Sequence, residues 1–249
     1  MRQKARLWTR LFLFGKKMVK EDQLWPGGPV FYFDTELFPP TTDSFALGYF
    51  ARPKRGDAVC DLGSGAGLLG TLLLAREPSL RLVNVEQNAD ALALARRTFS
   101  ENGWEAEFHG GDLRKADVLP NAGAMDYVIS NPPYFKSGSG KSAEGAARQN
   151  AREETQCTLS EVCAAASRIL RWGGSFALVY RPERLTDLLC ELRGHGMEPK
   201  RLRFVVQRPD APPTLVLAEA RRGGNPGMQM EAPLVIGSAE WNDVYFMEK

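Results

Sequence analysis

The run Asn131-Pro132-Pro133-Tyr134 carries the most specific chemistry in the sequence. Two consecutive prolines fix the backbone and supply no N–H, so neighbouring carbonyls lack local donors. The Pro132 carbonyl and the Asn131 side-chain oxygen can then both accept from one planar NH2 group, and Tyr134 can stack on the flat group that bears it. Such an arrangement turns the nitrogen lone pair toward an incoming methyl group. A plain proline turn would use the same residues, but a second motif nearby argues for a ligand site.

That second motif is Asp61-Leu62-Gly63-Ser64-Gly65-Ala66-Gly67, between a short apolar stretch and a helical one. Glycines there let the backbone turn tightly and approach a ligand closely. Gly65 to Gly70 also fit the pattern G-x-G-x-x-G, which by itself is weak: it does not separate NAD from S-adenosylmethionine, and a tight turn without ligand satisfies it too. Glu86 follows about 20 residues after the last glycines, where a carboxylate accepts from both ribose hydroxyls or else simply ends a strand. Asp112, after Gly110-Gly111, is placed to accept from an adenine amine, with capping of a local turn as the alternative.

Together, the glycine loop, Glu86, Gly111-Asp112 and Asn131-Pro132-Pro133-Tyr134 resemble the pattern of class I methyltransferases acting on amino groups. The chain is more closely similar to the bacterial tRNA1(Val) adenine-37 N6-methyltransferase family. That further likeness lies in Thr42-Asp43-Ser44-Phe45-Ala46-Leu47, in Ala147-Arg148-Gln149-Asn150-Ala151-Arg152-Glu153, and in the tail from Arg201-Leu202-Arg203-Phe204-Val205 through Leu215 to Gly224. It runs from about residue 24 to about residue 236. Two departures stand out: Ala151-Arg152-Glu153-Glu154 lacks the His of the family's Ala-Arg-His-Glu, and the basic residues 1–20 are outside the family pattern.

The resemblance implies S-adenosylmethionine as cofactor, with Gly63, Ser64, Gly65 and Gly67 passing beneath its methionine and ribose. It puts Asp61 near the methionine amino group, Glu86 on the ribose and Asp112 on the adenine. Asn131 and Pro132 would hold the target amine next to the cofactor, Pro133 would fix the backbone, and Tyr134 would stack on the target ring. Lys136, Lys141, Arg148 and Arg152, on the following loop, would meet RNA phosphates. The expected acceptor is the N6 amine of an adenine in RNA, tRNA above all. A glutamine side-chain amide, a guanine in ribosomal RNA and an adenine in DNA are alternatives, as is a binding module that has lost catalysis.

These motifs need strand ends to sit on, and the sequence alternates accordingly. Apolar stretches at 58–62, 81–86, 105–109, 125–130 and 175–180 read as strands, and helical patterns at 68–76, 89–101, 159–171 and 182–193 separate most of them. Segments 201–207 and 214–220 read as a closing pair of strands. The expected fold is therefore α/β: a Rossmann-like class I methyltransferase fold with a mostly parallel seven-stranded sheet, helices on both faces and an antiparallel closing strand. Residues 137–145, rich in Gly and Ser, read as a loop. His109 and His195 read as structural, since this chemistry needs no strong base.

Before the first core strand the sequence reads as a basic arm over 1–25, followed by the methyltransferase domain over 26–249. Leu7, Trp8, Leu11 and Phe12 recur at helical spacing among basic residues, which suggests a short amphipathic helix docked on the body, an RNA-binding arm, or a membrane-surface helix. The start resembles a signal peptide, but its apolar run is too short and no cleavage site follows. Lys and Arg exceed Asp and Glu by two in total, so global charge points to no partner. Cys60, Cys157, Cys163 and Cys190 lack metal-ligand spacing and read as reduced thiols. No stretch is long enough to span a membrane. A metal-free, cytoplasmic protein is the expectation.

Overall fold

The computed structural model describes residues 10–14, 17–34, 39–132 and 157–246. The described residues start with three antiparallel strands, β1 (Arg10–Phe14), β2 (Lys17–Gln23) and β3 (Val30–Asp34). Helix α1 (Thr42–Phe50) follows. Strand and helix then alternate through β4 (Ala58–Leu62), α2 (Leu68–Arg76), β5 (Arg81–Glu86), α3 (Ala89–Glu101), β6 (Ala106–Gly110) and β7 (Met125–Ser130). After a stretch outside the described residues come α4 (Leu159–Ile169), β8 (Leu170–Tyr180), a 3-10 turn at Pro182–Arg184 and α5 (Leu185–Gly194). Two long strands, β9 (Met197–Val206) and β10 (Pro213–Arg222), two short ones, β11 (Gln229–Met230) and β12 (Leu234–Val235), and α6 (Ala239–Phe246) complete it.

The main sheet runs β6-β5-β4-β7-β8-β10-β9-β11, with β12 also on β9. Strands β6, β5, β4, β7 and β8 pair in parallel, and β10 is inserted antiparallel between β8 and β9. The expected seven strands are thus present, including the antiparallel closing strand. Among the described residues, β11 and β12, of two residues each, add to those seven at the β9 edge and bring the sheet to nine. Segments so short leave no period-2 signal in a sequence.

Side chains alternate across the sheet as strand geometry requires. Val59, Tyr127 and Ile129 join a core with Leu47 of α1, Leu72 of α2, Phe99 of α3 and Trp241 of α6. Cys60, Leu62 and Val128 face the other way, into a core with Val162 and Cys163 of α4 and Leu188 and Leu192 of α5. Helix α3 starts where Asn88 Oδ1 accepts the Ala91 N–H, and α4 starts on a capping box between Thr158 and Glu161.

Two readings of the sequence need correction. Helix α4 ends at Ile169, not at residue 171, and β8 begins at Leu170. Gly173-Gly174 lie inside that strand. A Cβ on Gly174 would come within 3.0 Å of the Asp126 and Arg171 carbonyls, and the β7–β8 register shifts between Met125 and Tyr127. The glycines thus serve an irregular strand, a use of glycine that looks the same in sequence as a helix stop.

The second correction concerns the start of the chain. Residues 10–14 form a strand, and the amphipathic helix expected through Leu11 and Phe12 does not exist there; Leu7 and Trp8 lie outside the described residues. Four hydrophobic positions at helical spacing are weaker than a continuous apolar run bounded by Gly15, and β1 pairs with β2 from Arg10↔Glu21 to Phe14↔Lys17. Strand β2 pairs in turn with β3 across the Pro26–Pro29 stretch at which the sequence reading divides the chain. The far edge of β3 is covered by α3: Asn102 bonds both the N–H and the carbonyl of Val30, and Thr98 Oγ1 accepts the Tyr32 N–H. Phe31, Tyr32 and Phe33 are buried in the main core.

Candidate active site

The loop leaving β4 is held by the strand beside it. The N–H groups of Gly63 and Ser64 both donate to the Val85 carbonyl, at 2.9 and 3.1 Å, and the Gly67 N–H donates to the Ser64 carbonyl at 2.8 Å. Gly63, Gly65 and Gly67 have φ of 74°, 55° and 82°, a region that costs another residue roughly 1–2 kcal/mol. Gly67 also has a steric duty, since a Cβ there would lie 3.0 Å from Ala95 Cβ and from Phe99 Cε2. At Gly70 it would lie 2.4 Å from Leu82 Cδ2 and 2.9 Å from Phe99 Cζ. The early glycines make the turn, and the later ones seat α2 against its neighbours.

Glu86 secures the loop from β5. Its Oε2 accepts from the Gly65 N–H at 2.8 Å and its Oε1 from the Asn88 N–H at 2.7 Å. Both oxygens retain capacity to accept a further hydrogen bond. On the other side of β4, the buried Ser130 hydroxyl donates to the Leu62 carbonyl at 2.7 Å. This bond ties the ends of β4 and β7 together, so Asn131 and Pro132 emerge next to the glycine loop.

The three strand ends border a cavity of about 680 Å³, within the range of roughly 300–1,000 Å³ for small-molecule sites. Gly63, Ser64, Gly65, Glu86, Asn131 and Pro132 all line it. So do several residues to which the sequence reading gave no role: Phe31 from β3, Pro39, Thr41 and Ser44 at the start of α1, Gln87, Asn88 and Cys157. Thr41 caps α1 by accepting the Ser44 N–H, but nothing local in the sequence says where that helix docks. Asn131 Nδ2 donates to Ser44 Oγ at 3.0 Å. Ser64 Oγ is buried and has no hydrogen-bond partner, as a group awaiting a polar ligand would be. Glycine loop, paired carboxylate oxygens and orphaned hydroxyl together fit the ribose and methionine portions of S-adenosylmethionine.

Asp61 is set back from the cavity wall, which Leu62 and Gly63 form. It is fully buried, and neither carboxylate oxygen has a partner in proper hydrogen-bond geometry. Burial pushes its pKa up to about 8; Glu86 adds to the rise, and the backbone N–H of Gly70 offsets part of it. Asn84, its register partner on β5, is also fully buried, with an unsatisfied Oδ1. Asp112 is engaged differently. It accepts from the Arg114 backbone N–H and from the Arg114 guanidinium at 2.6–2.9 Å, which holds its pKa below the usual carboxylate value. Its neighbours Gly111 and Leu113 line the cavity; Asp112 does not.

Pro133, Tyr134, Lys136, Lys141, Arg148 and Arg152 lie outside the described residues. His109 Nδ1 bonds the Val118 carbonyl and His195 Nε2 bonds Ser160 Oγ, both away from the cavity. All four cysteines are free, and Cys60, Cys157 and Cys163 are buried. Among the described residues, no group of three His, Cys, Asp or Glu could hold a metal, and no helix is long and apolar enough to cross a membrane.

A parallel sheet with one antiparallel insertion, a glycine loop after its first central strand and a carboxylate ending the next define an S-adenosylmethionine-dependent methyltransferase of the class I fold. A family model described as methyltransferase small domain matches residues 47–192, and the chain belongs to that family. It is 28% identical over 205 residues to a tRNA1(Val) (adenine(37)-N6)-methyltransferase of Aeromonas hydrophila, covering 82% of this chain and 85% of that one. An enzyme of the same name from Parabacteroides distasonis is 27% identical over 179 residues, covering 72% and 74%. Among solved structures, a predicted O-methyltransferase, Atu636 of Agrobacterium tumefaciens, shares the fold with a TM-score of 0.68 at 19% identity, over 82% of this chain and 96% of that one.

Two outcomes are expected of this geometry. Glu86→Ala removes two acceptor oxygens from the cavity wall and the clamp on Gly65, and should weaken S-adenosylmethionine binding by about 1.5–3 kcal/mol; calorimetry showing an unchanged dissociation constant would remove Glu86 from the site. Asp61 has a native pKa far above the unfolded value of about 3.9, so between those values the native state binds more protons. Its stabilising contribution is complete below about pH 4 and is lost as pH rises toward about 8. Asp61→Asn should flatten this decline, read as Tm across that window; a parallel decline in the variant would assign the pH dependence elsewhere.

Proposed function

We propose that the chain transfers a methyl group from S-adenosylmethionine to the exocyclic N6 amine of an adenine in RNA, and specifically in tRNA. The observation that carries the reading is that Asn131 and Pro132 share one cavity with the glycine loop and Glu86. Its finer part, the tRNA adenine, is supported by the names of relatives that align with most of this chain.

S-adenosylmethionine supplies a methyl group on a positively charged sulfur, open to in-line displacement by a nitrogen. Gly63, Ser64 and Gly65 bind and orient it through the backbone, Gly67 closes the turn beneath them, and Glu86 accepts from its ribose. Asp61, behind the wall, contributes negative charge beneath the methionine end once ionised. The adenine end falls to Gly111 and Leu113, beside Asp112, whose carboxylate is paired with Arg114. On the acceptor side, Asn131 Oδ1 and the Pro132 carbonyl accept from the target amine and orient its lone pair. They also stabilise positive charge developing on that nitrogen. Alignment of two bound reactants supplies much of the acceleration. The nitrogen becomes strongly acidic once methylated and loses its proton to water, so the chain needs no strong base.

The target base leaves its stack to enter the cavity. Pro133 holds the turn, Tyr134 stacks on the base, and Lys136, Lys141, Arg148 and Arg152 neutralise phosphates around the opening. The basic segment 1–20 extends that surface. With tRNA as acceptor, the protein works in the cytoplasm.

Incubation with labelled S-adenosylmethionine and total tRNA should put label into N6-methyladenosine after nuclease digestion. Label found only in a protein glutamine amide, a guanine or DNA would replace the adenine-in-RNA reading. Asn131→Ala should abolish most of the transfer with cofactor affinity nearly intact, and turnover within about threefold of wild type would contradict the orienting role. Binding to tRNA should weaken with salt by about 0.7–0.9 log units per phosphate contact for each log unit of salt. Replacing Lys136 and Arg148 by Ala should flatten that slope; an identical slope would take them off the RNA surface.

A further inference from the structure

Ser44 stands on the first turn of α1, far in sequence from the motifs above, yet it meets one of them. Asn131 Nδ2 donates to its Oγ at 3.0 Å. Ser44 is itself buried, and its hydroxyl lies 3.4 Å from Thr41 Oγ1, the group that caps α1 by accepting the Ser44 N–H. Thr41, Ser44 and Asn131 all line the cofactor cavity. The helix beneath them is firmly seated. Phe45, Ala46 and Leu47 are buried in the core, and the Arg76 guanidinium holds the Gly48 and Ala51 carbonyls at 2.9 and 2.6 Å.

We infer that Ser44 is the positioning residue that sets which edge of the Asn131 carboxamide faces the acceptor nitrogen. The inference rests on the role given to Asn131 above. A carboxamide is planar, with an acceptor oxygen on one edge and a donor NH2 on the other, and a half-turn about Cβ–Cγ exchanges them. An amine that must donate to Asn131 needs the oxygen edge; the nitrogen edge would set donor against donor and leave the lone pair misdirected. With its own proton directed to Thr41 Oγ1, 3.4 Å away, the Ser44 oxygen is left to accept from Nδ2, which commits the nitrogen edge to the wall of α1 and puts the oxygen on the opposite edge. The hydroxyl touches neither reacting atom in this scheme and acts only through Asn131. A site held by packed elements keeps such orientation better than one on a loop, which accounts for a second element reaching across to a motif on β7.

The test is a double-mutant cycle on the full-length protein with Ser44→Ala, Asn131→Ala and both together, assayed with S-adenosylmethionine and tRNA. Ser44→Ala should lower kcat about tenfold, the equivalent of one net hydrogen bond, with KM for tRNA and the cofactor dissociation constant within about twofold of wild type. Ser44→Thr, which keeps the hydroxyl, should recover most of the loss. In the Asn131→Ala background, removing Ser44 should change nothing further. An equal loss in both backgrounds, or a loss of cofactor affinity with kcat retained, would overturn the assignment. A direct readout is independent of the acceptor: in 15N-labelled protein, the side-chain amide protons of Asn131 should shift upfield in Ser44→Ala. Unchanged shifts would overturn the positioning role whatever the enzyme methylates. Absence of transfer to tRNA with the expected shift would overturn the acceptor reading alone.

Discussion

The cofactor end of this protein depends on one constraint: the chain must turn sharply out of β4 without stranding its backbone N–H groups. Val85 meets the constraint by accepting from both Gly63 and Ser64, and Glu86 by accepting from Gly65 and Asn88. The same carboxylate therefore shapes the loop and faces the cavity. Backbone groups buried without partners are costly, so the loop has little freedom to adopt another course while β5 stays in place. What shapes this wall of the cavity is thus inseparable from what keeps the sheet end folded.

A second tier of contacts fixes α1, the element that borders the cavity opposite the loop. It is only nine residues long and mostly buried, and its final carbonyls need donors. Arg76 supplies them for Gly48 and Ala51, and Arg201 does so for Phe50 while its guanidinium lies over the Phe50 ring at 4.2 Å. Arg201 is tied to Glu219 and Glu231, and Glu219 also accepts the Tyr127 hydroxyl at 2.6 Å. A paired network of this kind leaves no partially buried charge alone, the condition under which buried ions are tolerated. The C-terminal strands therefore help hold the N-terminal helix that carries Ser44.

The alternation of strands and helices from β4 to β10 and the glycine turn were legible in the sequence, because each has a local cause: period or chain reversal. Asp61 was legible as a residue near the site, but not as a group set behind its wall, since that depends on which way the strand presents it. Asp112 shows the same limit: its pairing with Arg114, two residues on, follows from a side-chain rotamer and not from spacing. Ser44 and Phe31 were illegible as cavity residues because only tertiary docking brings α1 and β3 to β7 and the glycine loop. At the start of the chain, residues 10–14 became a strand because β2 was available to pair with them, a partner that a helical count of hydrophobic positions ignores.

The two-residue strands at the end of the chain bear on how the molecule behaves in company. Strand β9 would otherwise be an open margin of the sheet, able to recruit a strand from another molecule. Instead the Glu231 N–H donates to the Leu202 carbonyl and the Ile236 N–H to the Val206 carbonyl, with β11 and β12 laid along that margin. On the opposite margin, Arg96 occupies the Phe108 carbonyl of β6. The C-terminal segment thus closes the β9 margin to strands from other copies, and peeling back the segment after residue 228 would expose a template for aggregation.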